Sequence, residues 1–328
     1  MNLAYIITAH KSPHQLVRLV ERLNTEGATF LIHVEKKTDA ATYGCMVEGL
    51  RHLPNVQFLR KRYASHPQCL FGVVQATIDG INAIFEQGIT ADYVINLSGE
   101  DYPIKPNREI KRILQQGRGR SFVTHFPLPF EGVHRSGWTI SQRLNRIQYW
   151  HVILFNHYFR LPLRRGQYSG VFSLTRSLLG LAINLFLPKK RQFPAGFVPY
   201  GGWAWWCLAK EHAEYIHRFA KTNCAFVRFF RYVDAPDEII FHTILLNSPF
   251  KDRIIDDDLR YIDWSTGGRH PKILGKEDFE KLARAPKLFA RKFDASVDGD
   301  VLDLIDEHIL NEVDTAICHS PSGSLANL

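Results

Sequence analysis

Several patterns that assign a protein to a class at once are missing from this chain of 328 residues. Its five cysteines are scattered without a CxxC pair, so neither a disulfide framework nor a zinc site is indicated, and a reducing compartment is favoured. No run reaches the ~20 apolar residues needed to span a bilayer. The N-terminus enters a strand-like run directly, without the basic and apolar regions of a signal peptide. We therefore expect a cytoplasmic protein.

Glycine-rich phosphate-binding motifs are missing too. Neither GxGxxG nor GxxxxGKS/T follows a predicted strand, so a dinucleotide fingerprint or a P-loop is not supported. What the chain has is positive charge, because 41 Lys and Arg against 33 Asp and Glu give a net charge of +8. This balance suits an anionic partner: a nucleotide, a nucleic acid or an acidic membrane surface. The hydrophobic content of 45% is ordinary for a soluble enzyme of one large or two small domains.

Strand and helix patterns alternate along residues 1–126. The strand-like runs lie at 3–8, 30–35, 56–59, 93–99 and 121–126, and the helical ones at 12–24, 72–88 and 108–117. This alternation predicts an α/β fold with a mostly parallel sheet and helices on both faces. Ser12 is predicted to cap the first helix, with Pro13 at its first position.

Ligands of such sheets bind beyond the carboxyl ends of the strands. This rule selects three turns: AHK (9–11), EKK (35–37) and SGED (98–101). The adjacent acids Glu100 and Asp101 could ligate a divalent metal together with substrate phosphates. The Asp-x-Asp spacing of metal-dependent sugar-nucleotide enzymes is absent from that turn, and the segment DDD (256–258), which contains it, lies in a polar loop. The metal signal is therefore weak.

Residues 127–192 form a predicted insertion rich in basic and aromatic residues. Its segment SLLGLAINLFLPKKR (177–191) fits either a buried helix followed by a solvated loop or peripheral docking to an anionic membrane leaflet. Strand and helix patterns return over residues 193–295, including a predicted helix over 236–250. A short helix at 301–309 and a disordered tail are predicted to make up residues 296–328.

Three groups of residues suggest chemistry. Asp237 and Glu238 open a predicted helix, where the helix dipole alone favours acids, but a carboxylate beside a cleft could also accept a proton from an attacking hydroxyl. In GGWAWW (201–206), strand alternation places Trp203 and Trp205 on one face, which suits either the flat face of a sugar or a core contact. Cations between aromatic residues in the segment 259–294 could neutralise a leaving diphosphate without a metal.

Together these motifs resemble the core-2/I-branching glycosyltransferases, a family that includes branching β-1,6-N-acetylglucosaminyltransferases and peptide O-xylosyltransferases. The resemblance spans residues 3–295. In chain order it rests on LIHVEKK, NLSGEDYPIKPN, YGGWAWWCLAKEHAEYI, PDEIIFHTILLNSPF, LRYIDW, GRHPKILGKEDF and LFARKFD.

The resemblance implies a GT-A fold, in which a nucleotide-binding α/β sheet merges with an acceptor-binding half within a single domain (1–295). It also implies inverting transfer from a UDP-sugar without a metal or other cofactor. Glu238 corresponds to the general base of the family. Many relatives have an aspartate where this chain has Glu35, in the turn predicted to approach the uridine. The predicted donor-binding residues are His10, Val34, Glu35, Arg260, Arg269, Lys272, Arg291 and Lys292, and the predicted acceptor-binding residues are Asp101, Trp203, Trp205 and Trp264.

The donor sugar is not fixed by the motifs. FHTILLNSP and ARKF are nearer to the xylosyltransferase branch, whereas PDE is the form of its motif found in the N-acetylglucosaminyl branch. We therefore favour UDP-GlcNAc as the donor, with UDP-xylose second. Eukaryotic relatives carry a membrane anchor and disulfides. The lack of both here favours a bacterial enzyme acting on a glycan or lipid-linked glycan of the cell surface, with no nucleic-acid partner. The alternative is a non-catalytic protein whose tryptophans and cations bind carbohydrate or nucleic acid.

Overall fold

A computed structural model of the chain describes residues 1–66, 71–128, 140–154, 157–161, 190–267 and 270–311. Its strands are β1 (Leu3–Ala9), β2 (Ala28–Val34), β3 (Val56–Phe58), β4 (Tyr93–Ser98), β5 (Asp101–Pro103), β6 (Ser121–Pro127), β7 (Trp150–Leu154), β8 (His157–Leu161), β9 (Tyr200–Ala209), β10 (Ile254–Ile255), β11 (Arg260–Ile262) and β12 (Phe289–Arg291). Its α-helices are α1 (Pro13–Leu23), α2 (Ala40–Leu50), α3 (Phe71–Glu86), α4 (Asn107–Gln116), α5 (Ile140–Gln148), α6 (Lys210–Thr222), α7 (Cys224–Phe229), α8 (Ile240–Leu246), α9 (Phe279–Arg284) and α10 (Asp300–Ile305).

The central sheet has seven strands in the order β10-β6-β9-β4-β1-β2-β3. β1 pairs in parallel with β2 and β4, and β6 pairs in parallel with β10. β9 runs antiparallel between β4 and β6. Because of this reversal, the amino end of β9 meets the carboxyl ends of its neighbours, and all three contribute to the same edge of the sheet.

Side chains of the central strands alternate between two hydrophobic cores. In β1, Tyr5 and Ile7 face a core shared with α1, α2 and α4, whereas Ala4 and Ile6 face a core shared with α3, α6 and α8. Strand residues alternate between faces with a period of two, so a strand buried on both faces reads as a continuous apolar run. The predicted α/β fold, with a mostly parallel sheet and helices on both faces, is confirmed.

A bulge in β9 orients its tryptophans. The β6–β9 register shifts between the pairs Val123–Trp206 and His125–Gly202, so β9 carries extra residues opposite β6. A Cβ on Gly202 would lie 1.9 Å from the carbonyl oxygen of Thr124, and therefore only glycine fits at this close approach. The bulge places the segment 203–205 at the carboxyl edge of the sheet.

A second, three-stranded sheet in the order β11-β12-β5 attaches the C-terminal segment to the first core. α10, which lies at the start of the short helix predicted over 301–309, packs Val301, Leu302 and Ile305 into the same core. Arg18 of α1 ties this helix down through a 2.7 Å contact with Asp306, which also accepts a hydrogen bond from a buried tyrosine.

Two local predictions need correction. Ser12 lies at the N-cap of α1, but its backbone is left-handed and its side chain makes no capping hydrogen bond. The predicted helix over 236–250 is shorter than expected: a single 3₁₀ turn, Pro236–Glu238, precedes α8, which ends at Leu246. The left-handed backbone of Ala235 and the irregular backbone of Ile239 isolate that turn from the helix, so Glu238 lies at the end of a turn and not inside a helix.

Among the described residues, no helix is both long enough and apolar enough to cross a membrane. Of the segment 177–191, the structure describes only Lys190 and Arg191, so the whole apolar run lies outside the described residues. Contact with an anionic membrane therefore stays a prediction, as does the cellular compartment.

Candidate active site

The carboxyl edge of the large sheet gathers the turns that the sequence selected. His10 and Lys11 follow β1, Glu35 follows β2, and Glu100 follows β4. The turns after β1 and β2 are joined directly, because the Thr38 hydroxyl donates a 3.0 Å hydrogen bond to the carbonyl of His10. The end of β12 joins them, since the amide of Phe293 donates to the carbonyl of Glu100 at 2.9 Å.

Four charged side chains from these turns form what we call the lysine cluster: Lys11, Glu100, Lys292 and Asp294. The ammonium groups of Lys11 and Lys292 each lie 3.1 Å from the same oxygen, Oε1 of Glu100. Lys11 also contacts Asp294 at 2.6 Å. Glu100 and Asp294 are largely buried, whereas 37% of the Lys11 side chain and 22% of the Lys292 side chain remain exposed. The cations are therefore the part of the cluster that an incoming anion can reach.

The cations determine the protonation state of the cluster. Burial by itself favours the neutral form of Glu100, but Lys292 and Lys11 together lower the pKa of its carboxyl. Hydrogen bonds from Lys11 and Ser296 lower the pKa of Asp294 to about 2. Both carboxylates are consequently ionised at neutral pH, and the cluster holds two charges of each sign.

Gln15 of α1 holds the two halves of the lysine cluster together. Its amide nitrogen donates to the carbonyls of Gly99 at 2.8 Å and Phe293 at 3.2 Å, and its side-chain oxygen accepts from the amide of Ala295 at 2.8 Å. Gln15 is 2% exposed and sits among apolar helix residues. A buried polar side chain with three satisfied partners fixes the spacing of the segments that carry Glu100 and Lys292.

The predicted uridine-side residues lie beside this cluster. Val34 ends β2, buried, and Glu35 accepts a 2.9 Å hydrogen bond from the amide of Ser65 and another from the amide of Lys37. The pKa of His10 is lowered, chiefly by desolvation, while the charges of Glu100 and Lys11 also act on it. A neutral imidazole at this position can donate or accept a hydrogen bond.

The remaining predicted cations differ in their surroundings. Lys272 lies 2.6 Å from the buried carboxylate of Asp278, whose hydrogen bond raises the pKa of the lysine. Arg260 is 4% exposed and donates to the carbonyls of Asn96 and Asp258, both at 2.9 Å. These contacts give Arg260 a packing role beneath the edge, and its assignment as a diphosphate ligand stays a prediction. Arg269 lies outside the described residues.

Arg291 joins the cluster to the tryptophan strand. Its guanidinium lies over the ring of Trp205, 3.9 Å from the ring centroid, and 3.4 Å from the carboxylate of Asp101. Asp101 is fully buried and accepts a 2.5 Å hydrogen bond from the amide of Ser98. Arg291 and Asp101 are paired in register across β12 and β5, so the small sheet itself positions this ion pair.

Two tryptophans form a stacked wall beside Arg291. The rings of Trp203 and Trp264 lie 5.3 Å apart at an angle of 17°, and Trp264 is 37% exposed. Trp206 is fully buried on the other side of β9, against Phe241. The exposed indole of Trp264 offers a flat surface of the kind that packs on a sugar ring.

A second charged group, which we call the acidic turn, consists of Asp237 and Glu238 in the 3₁₀ turn. Glu238 Oε2 lies 2.8 Å from Arg146 of α5, whose guanidinium also lies 3.8 Å from Asp234. Burial raises the pKa of Glu238, and Arg146 opposes that increase. Burial and the charge of Glu238 raise the pKa of Asp237 to about 7. A carboxyl tuned upward in this way has the basicity that a general base needs near neutral pH.

Four residues of these groups were not predicted to be functional from the sequence: Lys11, Gln15, Arg146 and Asp294. Lys11 and Asp294 do lie within segments that the sequence selected, so strand-end reasoning places them near the site. Nothing in the local sequence distinguishes Gln15 from the rest of its helix or Arg146 from the other cations of the insertion. Within the ranges that the structure describes, no group of three or more His, Cys, Asp or Glu side chains is arranged to hold a metal ion.

Comparison with known proteins identifies the family to which this chain is similar. The model of the Core-2/I-Branching enzyme family matches residues 3–283. Xylosyltransferase 2 of Rattus norvegicus is 28% identical over 331 residues, and that of Homo sapiens is 27% identical. Xylosyltransferase 1 of Rattus norvegicus is 23% identical over 332 residues. Each alignment covers 94% of this chain but only 34–35% of the relative, so the chain spans about a third of the length of these proteins.

Proposed function

Because the chain belongs to the core-2/I-branching enzyme family, we propose that it is a glycosyltransferase, which transfers a sugar from a UDP-sugar to a hydroxyl of a glycan acceptor, with inversion and without a metal ion. The observation that carries the proposal is that the chain holds two charged groups of unlike character. Exposed ammonium groups suit a diphosphate, and a half-buried carboxyl with a raised pKa suits a proton transfer.

In this reaction Glu238 takes the proton of the acceptor hydroxyl. The acceptor oxygen then attacks the anomeric carbon from the face opposite the diphosphate, and the bond from that carbon to UDP breaks. Lys292 and Arg291 neutralise the negative charge that develops on the departing diphosphate, the task that a metal ion performs in other enzymes. Trp264, stacked on Trp203, borders the acceptor sugar.

Arg146 sets the working state of the base. A carboxyl buried without a cation would stay protonated at neutral pH and could not accept a proton. The 2.8 Å contact with Arg146 favours the carboxylate. Arg146 therefore favours the ionised form of Glu238, while burial keeps the pKa of this carboxyl above that of an exposed glutamate.

The donor is proposed from the relatives. The sequence motifs favoured UDP-GlcNAc, but the relatives named above are xylosyltransferases. UDP-xylose is therefore the first donor to test and UDP-GlcNAc the second. Acceptors of the cell-surface glycan class, free or lipid-linked, are tested with each.

The proposal is tested by measuring UDP release from each donor with and without acceptor, and with EDTA or Mg²⁺. We expect acceptor-dependent release that EDTA does not reduce. The Glu238→Gln variant, which keeps the shape of the side chain and removes its basicity, is the matched control. Loss of activity in EDTA with recovery in Mg²⁺ would contradict the metal-independent mechanism and return Glu100 and Asp101 to consideration as metal ligands. The absence of release from any UDP-sugar, with nucleic-acid binding that weakens steeply with salt, would favour a binding protein instead.

A further inference from the structure

We propose that Glu100 is a built-in counter-ion that competes with the diphosphate of the donor for Lys11 and Lys292, and that Lys11 is a further diphosphate-binding residue. This inference rests on the proposed use of a UDP-sugar. It assigns to Glu100 a regulatory role at the phosphate site, in place of the metal-ligand role first considered for it.

The geometry of the shared oxygen carries the inference. Two ammonium groups converge on Oε1 of Glu100, each at 3.1 Å. A phosphate oxygen satisfies converging ammonium groups in the same way, because both acceptors are anionic oxygens. The carboxylate thus occupies the coordination that the lysines would otherwise offer to a phosphate.

The position of Lys11 does not depend on Glu100. Its ammonium also lies 2.6 Å from Asp294, and that carboxylate is held in turn by the hydroxyl of Ser296 at 2.6 Å. Neutralising Glu100 would therefore leave Lys11 in place. Glu100 is the anion that the structure places next to the Lys292 ammonium, so its neutralisation would leave that charge more available to a ligand.

The charge balance predicts which ligand the Glu100 carboxylate repels most strongly. With two ammonium groups and two carboxylates the cluster is close to neutral, and a glutamine at position 100 would make it positive by one charge. UDP carries a terminal phosphate and hence more negative charge than the diphosphate diester of a UDP-sugar. Glu100 consequently repels the product more strongly than the donor, which favours UDP release after transfer.

The test is calorimetric titration of UDP and of uridine, which has no phosphate, into the wild-type chain, Glu100→Gln and Lys11→Gln. We expect Glu100→Gln to bind UDP roughly tenfold more tightly and Lys11→Gln roughly tenfold more weakly, with uridine affinity unchanged in both. Glu48→Gln is the matched control, because it removes the same charge from an exposed carboxylate paired with Arg51. We expect no change in that variant.

Kinetics add a second measurement that a merely structural role would not change. In Glu100→Gln, inhibition by added UDP should strengthen more than the KM for the UDP-sugar decreases. Glu100→Gln binding UDP no more tightly than the wild type, or Lys11→Gln binding it equally well, overturns the inference while leaving the proposed function standing. If Glu100→Gln does not fold, the Lys11→Gln titration decides. A wild-type chain that binds no UDP overturns both proposals.

Discussion

The lysine cluster and the acidic turn both hold carboxylates close to cations, yet their titration is shifted in opposite directions. Glu100 lies 3.1 Å from two ammonium groups, and its pKa is lowered. Glu238 lies 2.8 Å from one guanidinium, and its pKa is raised. The number of cations relative to the extent of burial decides the direction of each pKa shift. Glu100 therefore suits a fixed negative charge, and Glu238 suits the proposed role of a base.

The first prediction tests the acidic turn. Glu238→Gln keeps the contact with Arg146 in shape but removes the proton acceptor. We expect kcat to decrease by about 10²- to 10⁴-fold, because this is the usual contribution of a general base. Steady-state transfer assays check it, and a variant with wild-type turnover would remove Glu238 from the mechanism.

The second prediction tests the lysine cluster. Lys292→Gln removes a charge that we propose stabilises the leaving diphosphate, and we expect kcat/KM to decrease by about 10²- to 10³-fold. Lys276→Gln, which changes an exposed lysine 3.9 Å from Asp300, is the matched control and should be neutral. Equal losses of kcat/KM in the two variants would mean that activity depends on the net positive charge of the chain and not on the lysine cluster.

The third prediction concerns the pH dependence of activity and the effect of Arg146 on Glu238. A general base must be ionised, so activity is lost as the pH decreases through the pKa of Glu238. Arg146→Met removes the charge that opposes the effect of burial. The acid limb of the kcat/KM profile should therefore shift upward by about one pH unit. A profile that keeps its midpoint would show that Arg146 does not tune the base.

The fourth prediction concerns stability. The pKa of Asp294 is about 2 in the folded chain and about 3.9 in an unfolded one. The carboxylate therefore stabilises the fold above about pH 4, and this stabilisation is lost as the pH decreases towards 2. Asp294→Asn should lower the free energy of unfolding by about 1–2 kcal/mol at pH 7 and by less at pH 3. Urea denaturation at both pH values checks this difference.

The control for Asp294 is Asp303→Asn. Asp303 pairs with Arg18 at 2.7 Å, but 71% of its side chain is exposed. Exposed pairs contribute little, so its effect should stay below about 1 kcal/mol. An equal loss in the two variants would indicate that burial of Asp294 has no special energetic weight.

The sequence predicts local features of this molecule well and long-range partners poorly. The alternation of strands and helices, and the turns at strand ends, follow from periodicity and from the parallel-sheet rule. The antiparallel direction of β9 has no local signal, because a strand reads the same in both directions. Arg146 and Glu238 are 92 residues apart, and Lys11 and Asp294 are 283 apart, so only the folded chain shows these pairs.

Cations are the clearest case of this limit. Arg260 and Lys292 stand in the same basic, aromatic segment and look equivalent in sequence. In the fold, Arg260 lies over the ring of Phe289 and its guanidinium donates hydrogen bonds to backbone carbonyls. Lys292, by contrast, remains partly exposed beside Glu100. Burial depends on which strand pairs with which, and sequence patterns do not contain that information.

The most direct test of the division of labour between the two regions is UDP binding measured side by side in Glu238→Gln and Lys292→Gln. The account predicts that Glu238→Gln binds UDP within about twofold of the wild type, while Lys292→Gln binds it at least about tenfold more weakly, a difference of about 1.4 kcal/mol. The opposite pattern, with UDP affinity lost at Glu238 and kept at Lys292, would contradict it.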